Sequence, residues 1–100
     1  MNWKKIEGFE WDEGNKEKNW KKHKVTMKET EEVFLNKPQS VFEDTKHSTK
    51  EKRYIIVGKN NFGRLLIVFF TLRKNKIRII SARDQGRTER KKYEKNKTYS

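Results

Sequence analysis

The chain has no cysteine, one proline and five glycines. The first absence removes disulfides and thiolate metal sites, and nothing then argues for an oxidising compartment. Long apolar runs are missing too. No stretch approaches the roughly 18 apolar residues that span a bilayer, and the first twelve residues lack the apolar core of a signal peptide. A cytoplasmic protein with no membrane partner is expected. Negative charge is scarce, with 14 Asp and Glu against 26 Lys and Arg, a formal net charge of +12. Such a field attracts polyanions, and nucleic acid, an acidic protein partner and an anionic membrane surface all fit the charge taken alone.

One hundred residues make one small domain with one modest core. Charged residues are 40% and hydrophobic ones 31% of the chain, but the apolar residues are concentrated. A folded centre over about residues 9–94 with charged ends is expected, rather than disorder throughout.

The centre is the stretch from Gly63 to Arg83. Leu65 to Phe70 is apolar at both parities, as in a strand covered on both faces. Arg73, Lys74, Asn75 and Lys76 form a polar turn into a second strand, Ile77 to Ala82. That second strand carries arginines at both parities, Arg78 and Arg83.

Upstream, Phe9-Glu10-Trp11 alternates as a short strand, and Asp12 can cap a helix reaching about His23. Lys16, Asn19, Trp20 and His23 share one face of it, with Trp20 as the anchor. Thr26 and Glu29 have capping-box spacing, and the helix they start points Met27, Thr30, Val33 and Phe34 at the core. Pro38 stops it. Strands are predicted at Ser40 to Asp44 and Arg53 to Gly58, separated by a polar loop, so a four-stranded antiparallel meander results, extended by the N-terminal strand. After Ala82, Glu89, Arg90, Tyr93, Glu94 and Lys97 have helical spacing.

Taken in order, Phe9-Glu10-Trp11-Asp12, Asn19-x-x-Lys22-His23-x-Val25-Thr26, Val33-Phe34, Glu43-Asp44-x-x-His47-Ser48, Glu51-x-Arg53-Tyr54, Gly63-Arg64-Leu65-Leu66, Arg78-Ile79-Ile80-Ser81-Ala82-Arg83 and Glu89-Arg90-x-x-Tyr93 form a set that resembles the BrnT toxins of bacterial type II toxin–antitoxin systems. The resemblance implies an α+β, RelE-like fold: a small antiparallel sheet of four to five strands, two N-terminal helices packed on it and a short C-terminal helix. It implies a metal-independent endoribonuclease without cofactor that inhibits translation and growth. It also implies a BrnA-like DNA-binding antitoxin, in a heterotetramer of two toxins and two antitoxins that meets operator DNA only through the antitoxin. Three positions depart from the pattern. Lys24 replaces a glycine at a helix end, Asp84 a basic residue, and Gly86 a Ser or Thr at a helix start.

Metal-free cleavage of RNA uses the 2′-hydroxyl as nucleophile. The enzyme must move protons and stabilise the charge that builds on phosphorus. His47 suits proton transfer by side-chain type, with Asp44 or Glu43 beside it to orient the ring, though it also reads as a plain loop histidine. Arginine suits phosphate, because its planar fork stays protonated. Arg83 and Arg64 are the foremost cations, and Arg64 is equally a structural residue. Glu89 and Tyr93, one turn apart, complete the catalytic set, unless Tyr93 merely anchors its helix. Arg53, Arg78, Ser81, Arg87, Arg90 and Lys91 are the RNA-binding set; Arg53 has Glu51 or Glu43 as an alternative partner, and Ser81 also reads as filler in the strand. His23 reads as a cap on the preceding helix. The two histidines lie far apart in sequence and no carboxylates have ligand spacing, which argues against a metal site. Two other functions fit the charge: a non-catalytic RNA- or ribosome-binding module, and a basic subunit that holds an acidic partner.

Overall fold

The computed structural model describes residues 3–91. Five strands form one mixed sheet: β1 (Gly8–Trp11), β2 (Ser40–Glu43), β3 (Arg53–Lys59), β4 (Leu65–Arg73) and β5 (Lys76–Asp84), in the order β1-β5-β4-β3-β2. Two helices, α1 (Glu13–Lys18) and α2 (Met27–Val33), pack on one face, and residues 87–91 are helical. No helix among the described residues is long and apolar enough to cross a membrane.

The meander from β2 to β5 is antiparallel, as its short connections dictate. The N-terminal strand corrects the all-antiparallel expectation: β1 pairs with β5 in parallel, Phe9 opposite Ile77 and Trp11 opposite Ile79. Local alternation marks a strand but says nothing of the direction in which a distant partner runs. Beyond Ile79 the edge of β5 is covered by side chains of the helical segment that leaves β1. Asn15 Nδ2 donates to the Ile79 carbonyl at 3.3 Å, and Asn19 Oδ1 accepts from the Ala82 amide at 3.2 Å.

The helical stretch after Asp12 is longer than α1 alone. Asp12 caps it through Gly14 N–H, and after Lys18 it widens into a π-helical turn, Asn19–His23, that ends at Lys24 in the left-handed conformation, φ 54°. The widening turns Asn19 inward and Trp20 outward. Trp20 is 51% exposed and Asn19 only 2%, so Trp20 is not the anchor; the polar clamp on β5 is. Met27, on the first turn of α2, is likewise exposed, whereas Thr30, Val33 and Phe34 are buried as their spacing requires. The Thr26–Glu29 capping box forms in full.

The core lies between the helices and one sheet face. Phe70 is fully buried, with Phe34, Tyr54 and Trp3 rings around it at centroid distances of 5.1, 5.6 and 6.4 Å. Such pairs add about 0.5–1.5 kcal/mol each beyond the area they bury. The β4–β5 hairpin turns through Lys74 and Asn75, both with positive φ, the handedness that matches the twist of the strands.

One irregularity decides where the cations go. Phe70 is opposite Ile79, but Phe69 is opposite Ser81, so Ile80 is an extra residue in β5. A bulge of this kind resets the alternation of side chains. Ile77, Ile79 and Ala82 then all face the core, and Arg78 and Arg83, of opposite parity in sequence, both lie on the face that α1 and α2 leave open.

Candidate functional site

On that open face the register sets three cross-strand rows. Ser40, Val57, Ile67 and Arg83 form one; Phe42, Ile55, Phe69 and Ser81 the next; Arg53, Thr71, Arg78 and Glu10 the third. The first two rows floor a groove of about 740 Å³, whose lining includes Glu43, Asp44, Lys46, Arg83 and Glu89.

Arg83 stands at one lip. Its Nη1 donates to Glu89 Oε1 at 2.9 Å and to the Asp84 carbonyl at 3.0 Å, and its guanidinium lies 5.7 Å from the centre of the Phe69 ring. Among the described residues nothing accepts from Nε or Nη2. Glu89 also accepts from the Gly86 amide at 3.0 Å, the reciprocal half of a capping box in which glycine supplies no hydroxyl. That amide bond, with Arg83, outweighs burial and holds the Glu89 carboxyl below its usual range. Glu89 is therefore an ionised strut under Arg83, built by the start of the last helix.

Asp44 forms the other lip. It is 8% exposed and meets His47 Nδ1 at 2.9 Å. In the tautomer with its proton on Nδ1 the histidine donates to Asp44, which fixes the ring and leaves Nε2 free. Of the two carboxylates that flank His47 in sequence, Asp44 is the orienting one, and Glu43 turns to Lys52 at 3.8 Å. His47 itself remains largely exposed, with 58% of its side chain in solvent.

Arg64 is engaged elsewhere. Nε and Nη2 fork onto Asp84 at 2.7 and 3.2 Å, Nη1 reaches Glu29 at 3.0 Å and the Lys24 carbonyl at 2.8 Å, and Nη2 also reaches the His23 carbonyl at 3.2 Å. A guanidinium has five N–H donors, and this network employs them all. The Asp84 bond above all drives the Arg64 pKa upward, and the same bond lowers that of Asp84. Burial would raise the Glu29 carboxyl, but hydrogen bonds from the Thr26 backbone and Arg64 bring it below its usual value. Asp84, which departs from the expected basic residue, is thus the partner of Arg64. The pair clasps the π-helical turn and α2 to the ends of β4 and β5.

His23 lies at that clasp. Among the described residues its ring caps no carbonyl, contrary to the capping role; Lys24 N–H and Arg64 satisfy the helix end instead. Burial, then the nearby Lys22 and Arg83 charges, lowers its pKa.

The third row gathers the other arginines. Glu51 pairs with Arg73 at 2.7 Å, not with Arg53, which corrects that alternative. Among the described residues Arg53 and Arg78 form no ion pair, and the Thr71 hydroxyl between them is buried without a partner. Ser81 sits in the middle row beside Phe69. Arg87, Arg90 and Lys91 are removed from this face and line, with Gln85, a separate groove of about 570 Å³. Tyr93 lies outside the described residues. Among those residues no three His, Asp or Glu side chains are grouped to hold a metal ion.

Sequence reasoning read Phe69 and Phe42 as strand apolars and missed them as site residues. Phe42 is 38% exposed, and alternation in an edge strand was the one signal that could have placed it on the open face. The bulge had no signal in local pattern.

The family model for the ribonuclease toxin BrnT of type II toxin–antitoxin systems matches residues 11–89. The crystal structure of the Brucella abortus ribonuclease toxin BrnT is similar to this fold, with a TM-score of 0.62 and 26% identity, covering 80% of this chain and 97% of that one. No curated protein matches the chain.

Proposed function

The chain belongs to the BrnT family of ribonuclease toxins of type II toxin–antitoxin systems, and we propose that it is itself an endoribonuclease that cleaves RNA through attack of the 2′-hydroxyl. The observation that carries this reading is Arg83: a cation whose three N–H donors on Nε and Nη2 meet no acceptor among the described residues, held by Glu89 and Phe69 at the lip of a groove whose other lip is the Asp44–His47 pair.

The fold is read as RelE-like, with the substrate on the open sheet face. The scissile phosphate lies against Arg83 Nε and Nη2, where the fork neutralises the charge that builds as the 2′-oxygen attacks. His47, oriented by Asp44, transfers a proton at Nε2. Glu89 acts as a positioning residue that fixes the Arg83 fork, and Arg64 positions the Asp84 end of β5 beneath the same arginine. Arg53 and Arg78 hold flanking phosphates, and Arg87, Arg90 and Lys91 extend the positive surface. Cleavage of messenger RNA in the cytoplasm would arrest translation and growth. A BrnA-like antitoxin would neutralise the toxin by covering this basic face.

The test is cleavage of single-stranded RNA by the purified protein in excess chelator. Products ending in a 2′,3′-cyclic phosphate are expected, and a 2′-deoxy substitution at the cut position abolishes the reaction. Arg83→Ala lowers the rate about 10²–10³-fold and His47→Ala about 10²-fold or more, with folding intact. RNA that is bound in a salt-sensitive way but stays uncut would overturn the enzymatic reading in favour of a binding module.

A further inference from the structure

The third row of the open face carries polar groups that the fold itself leaves unmatched. Arg53, Thr71 and Arg78 are register partners on β3, β4 and β5. Adjacent strands are about 4.8 Å apart, so the two arginine backbones stand about 9–10 Å from each other with Thr71 midway. Their side chains can converge on one small group above it. Thr71 is 2% exposed and its hydroxyl has no partner. A buried hydroxyl left unbonded destabilises a fold, and valine would serve this strand as well, so the hydroxyl between two cations points to a use outside the fold. The nearby carboxylates do not supply it. Glu51 is held by Arg73 through bonds of 2.7 and 3.3 Å, and it meets the Arg78 and Arg53 charges only at longer range. Glu10 ends the row beside Arg78. With Arg73, three arginines face two carboxylates, and this end of the sheet stays positive.

We propose that Arg53, Thr71 and Arg78 form one phosphate-binding subsite for single-stranded RNA, separate from Arg83. The inference rests on the ribonuclease reading and deepens it. The two guanidiniums bring planar forks of N–H donors to one phosphate, and the hydroxyl donates from the floor once the arginine side chains draw apart around the phosphate oxygen. On β4 this row is centred on Thr71 and the Arg83 row on Ile67, which puts the two about 13–14 Å apart along the strands. An RNA strand covers that distance in about four nucleotides at the duplex rise of about 3.4 Å and in fewer when extended. The backbone of the substrate therefore runs along β4 and β5, with the scissile phosphate at Arg83 and a second phosphate at the third row. A chain with a charge at every step fits two cation sites at a fixed separation, where an isolated acidic side chain would fill only one. The bulge at Ile80 is what makes the track possible, by bringing Arg78 to the same face as Arg83.

The test measures the affinity of the whole protein for a single-stranded oligoribonucleotide kept intact by a 2′-deoxy residue at the cut position, with one phosphate at a time replaced by a neutral methylphosphonate. Two positions should each lower affinity about tenfold, one at the cut and the other about two to four nucleotides from it. Arg53→Gln and Arg78→Gln should each weaken binding of the unmodified strand about tenfold, reduce its salt slope by about one, and abolish the second sensitivity while leaving the first. Thr71→Val, which keeps the shape without the hydroxyl, should weaken binding about threefold and raise the urea midpoint, because it removes the unpartnered group. A threonine that serves only the strand would not give that opposed pair of changes. A single sensitive position, or a second one that survives Arg78→Gln, overturns the subsite and leaves the ribonuclease in place. RNA affinity unchanged by both arginine variants, with an oligoglutamate peptide bound through them, overturns it in favour of an acidic protein. All-ribose RNA left uncut by the wild type rejects the ribonuclease reading, while the affinity map of that strand still decides the subsite.

Discussion

Replacing Arg64 by alanine removes contacts to two carboxylates and two carbonyls at once. They are not equal. The Glu29 side chain is 22% exposed and Asp84 56%, so the first bond is weakly screened and the second is discounted as a surface pair. The freed carbonyls of His23 and Lys24 can find water, and Glu29 keeps its bonds from Thr26 and Asn60. With about 1.5 kcal/mol for a charge-assisted bond in partial burial and less for each of the others, Arg64→Ala should cost about 3 kcal/mol. In a domain of this size that lowers Tm by about 12–24 °C. Arg64→Lys keeps the charge without the planar fork and should recover about half. Urea unfolding followed by tryptophan fluorescence measures both, provided the slope with denaturant is unchanged. Cleavage per folded molecule should stay within about tenfold, because Arg64 has no donor to spare for phosphate. A stability loss under about 0.5 kcal/mol together with a 10²–10³-fold loss of cleavage would refute this reasoning and put Arg64 at the scissile phosphate.

Lys24 holds a left-handed conformation, φ 54° and ψ 41°, that costs a side-chain-bearing residue about 1–2 kcal/mol. Its ammonium lies 5.1 Å from the Trp20 ring, an exposed contact that offsets about 0.5 kcal/mol. Lys24→Gly should then raise stability by about 0.5–1 kcal/mol, read as a higher urea midpoint; an unchanged or lower midpoint would mean that the turn is unstrained. Glu29, Asp84 and Glu89 all have depressed pKa values in the fold. Their contribution is complete above the ordinary values of 4.5 and 3.8 and is lost as pH falls through the lowered ones. Unfolding midpoints should begin to fall as pH drops below 6.5, where the unfolded chain protonates His23 before the fold does, and decline further below about pH 5 as the carboxylates follow; Arg64→Ala should decline less steeply in the acid part because Glu29 and Asp84 no longer share that partner. An identical acid slope in the two proteins would show that the clasp does not set their titration.

Much of this architecture was legible locally. The capping residues Asp12 and Thr26 each make the bonds their side chains promise, and the five strands appear where alternation and β-branched residues placed them. The losses came where a distant contact overrides local pattern. Trp20 has the size of an anchor, but a π-helical turn, which no residue type announces, rotates it into solvent and puts Asn19 against β5. Arg78 and Arg83 read as facing opposite ways until a single unpaired residue, Ile80, is known. For the site, side-chain chemistry pointed to Arg83, Glu89 and His47, and the structure brings Arg83 and Glu89 together across one groove from the Asp44 that orients His47. It could not tell an arginine with spare donors from one whose donors are all engaged, since that difference between Arg83 and Arg64 depends on carboxylates from three separate segments.

The parallel pairing of β1 with β5 joins the two ends of the described chain, Phe9 to Ile77. The β3–β4–β5 meander closes through short loops, whereas β1 must wait for nearly the whole chain, and ordering so long an intervening segment before any contact is gained makes this the slow, entropically expensive step of folding. Until it occurs, β5 presents a bare edge able to pair with another chain, and the Asn15 and Asn19 side chains that cover its upper half are not yet in place. Arg83, which pairs with β4 opposite Ile67, and Glu89 beside it lie outside the part of β5 that waits for β1. During synthesis, then, the lip that holds Arg83 against Glu89 is completed only when β4, β5 and the start of the last helix, the final elements of the described chain, have been made.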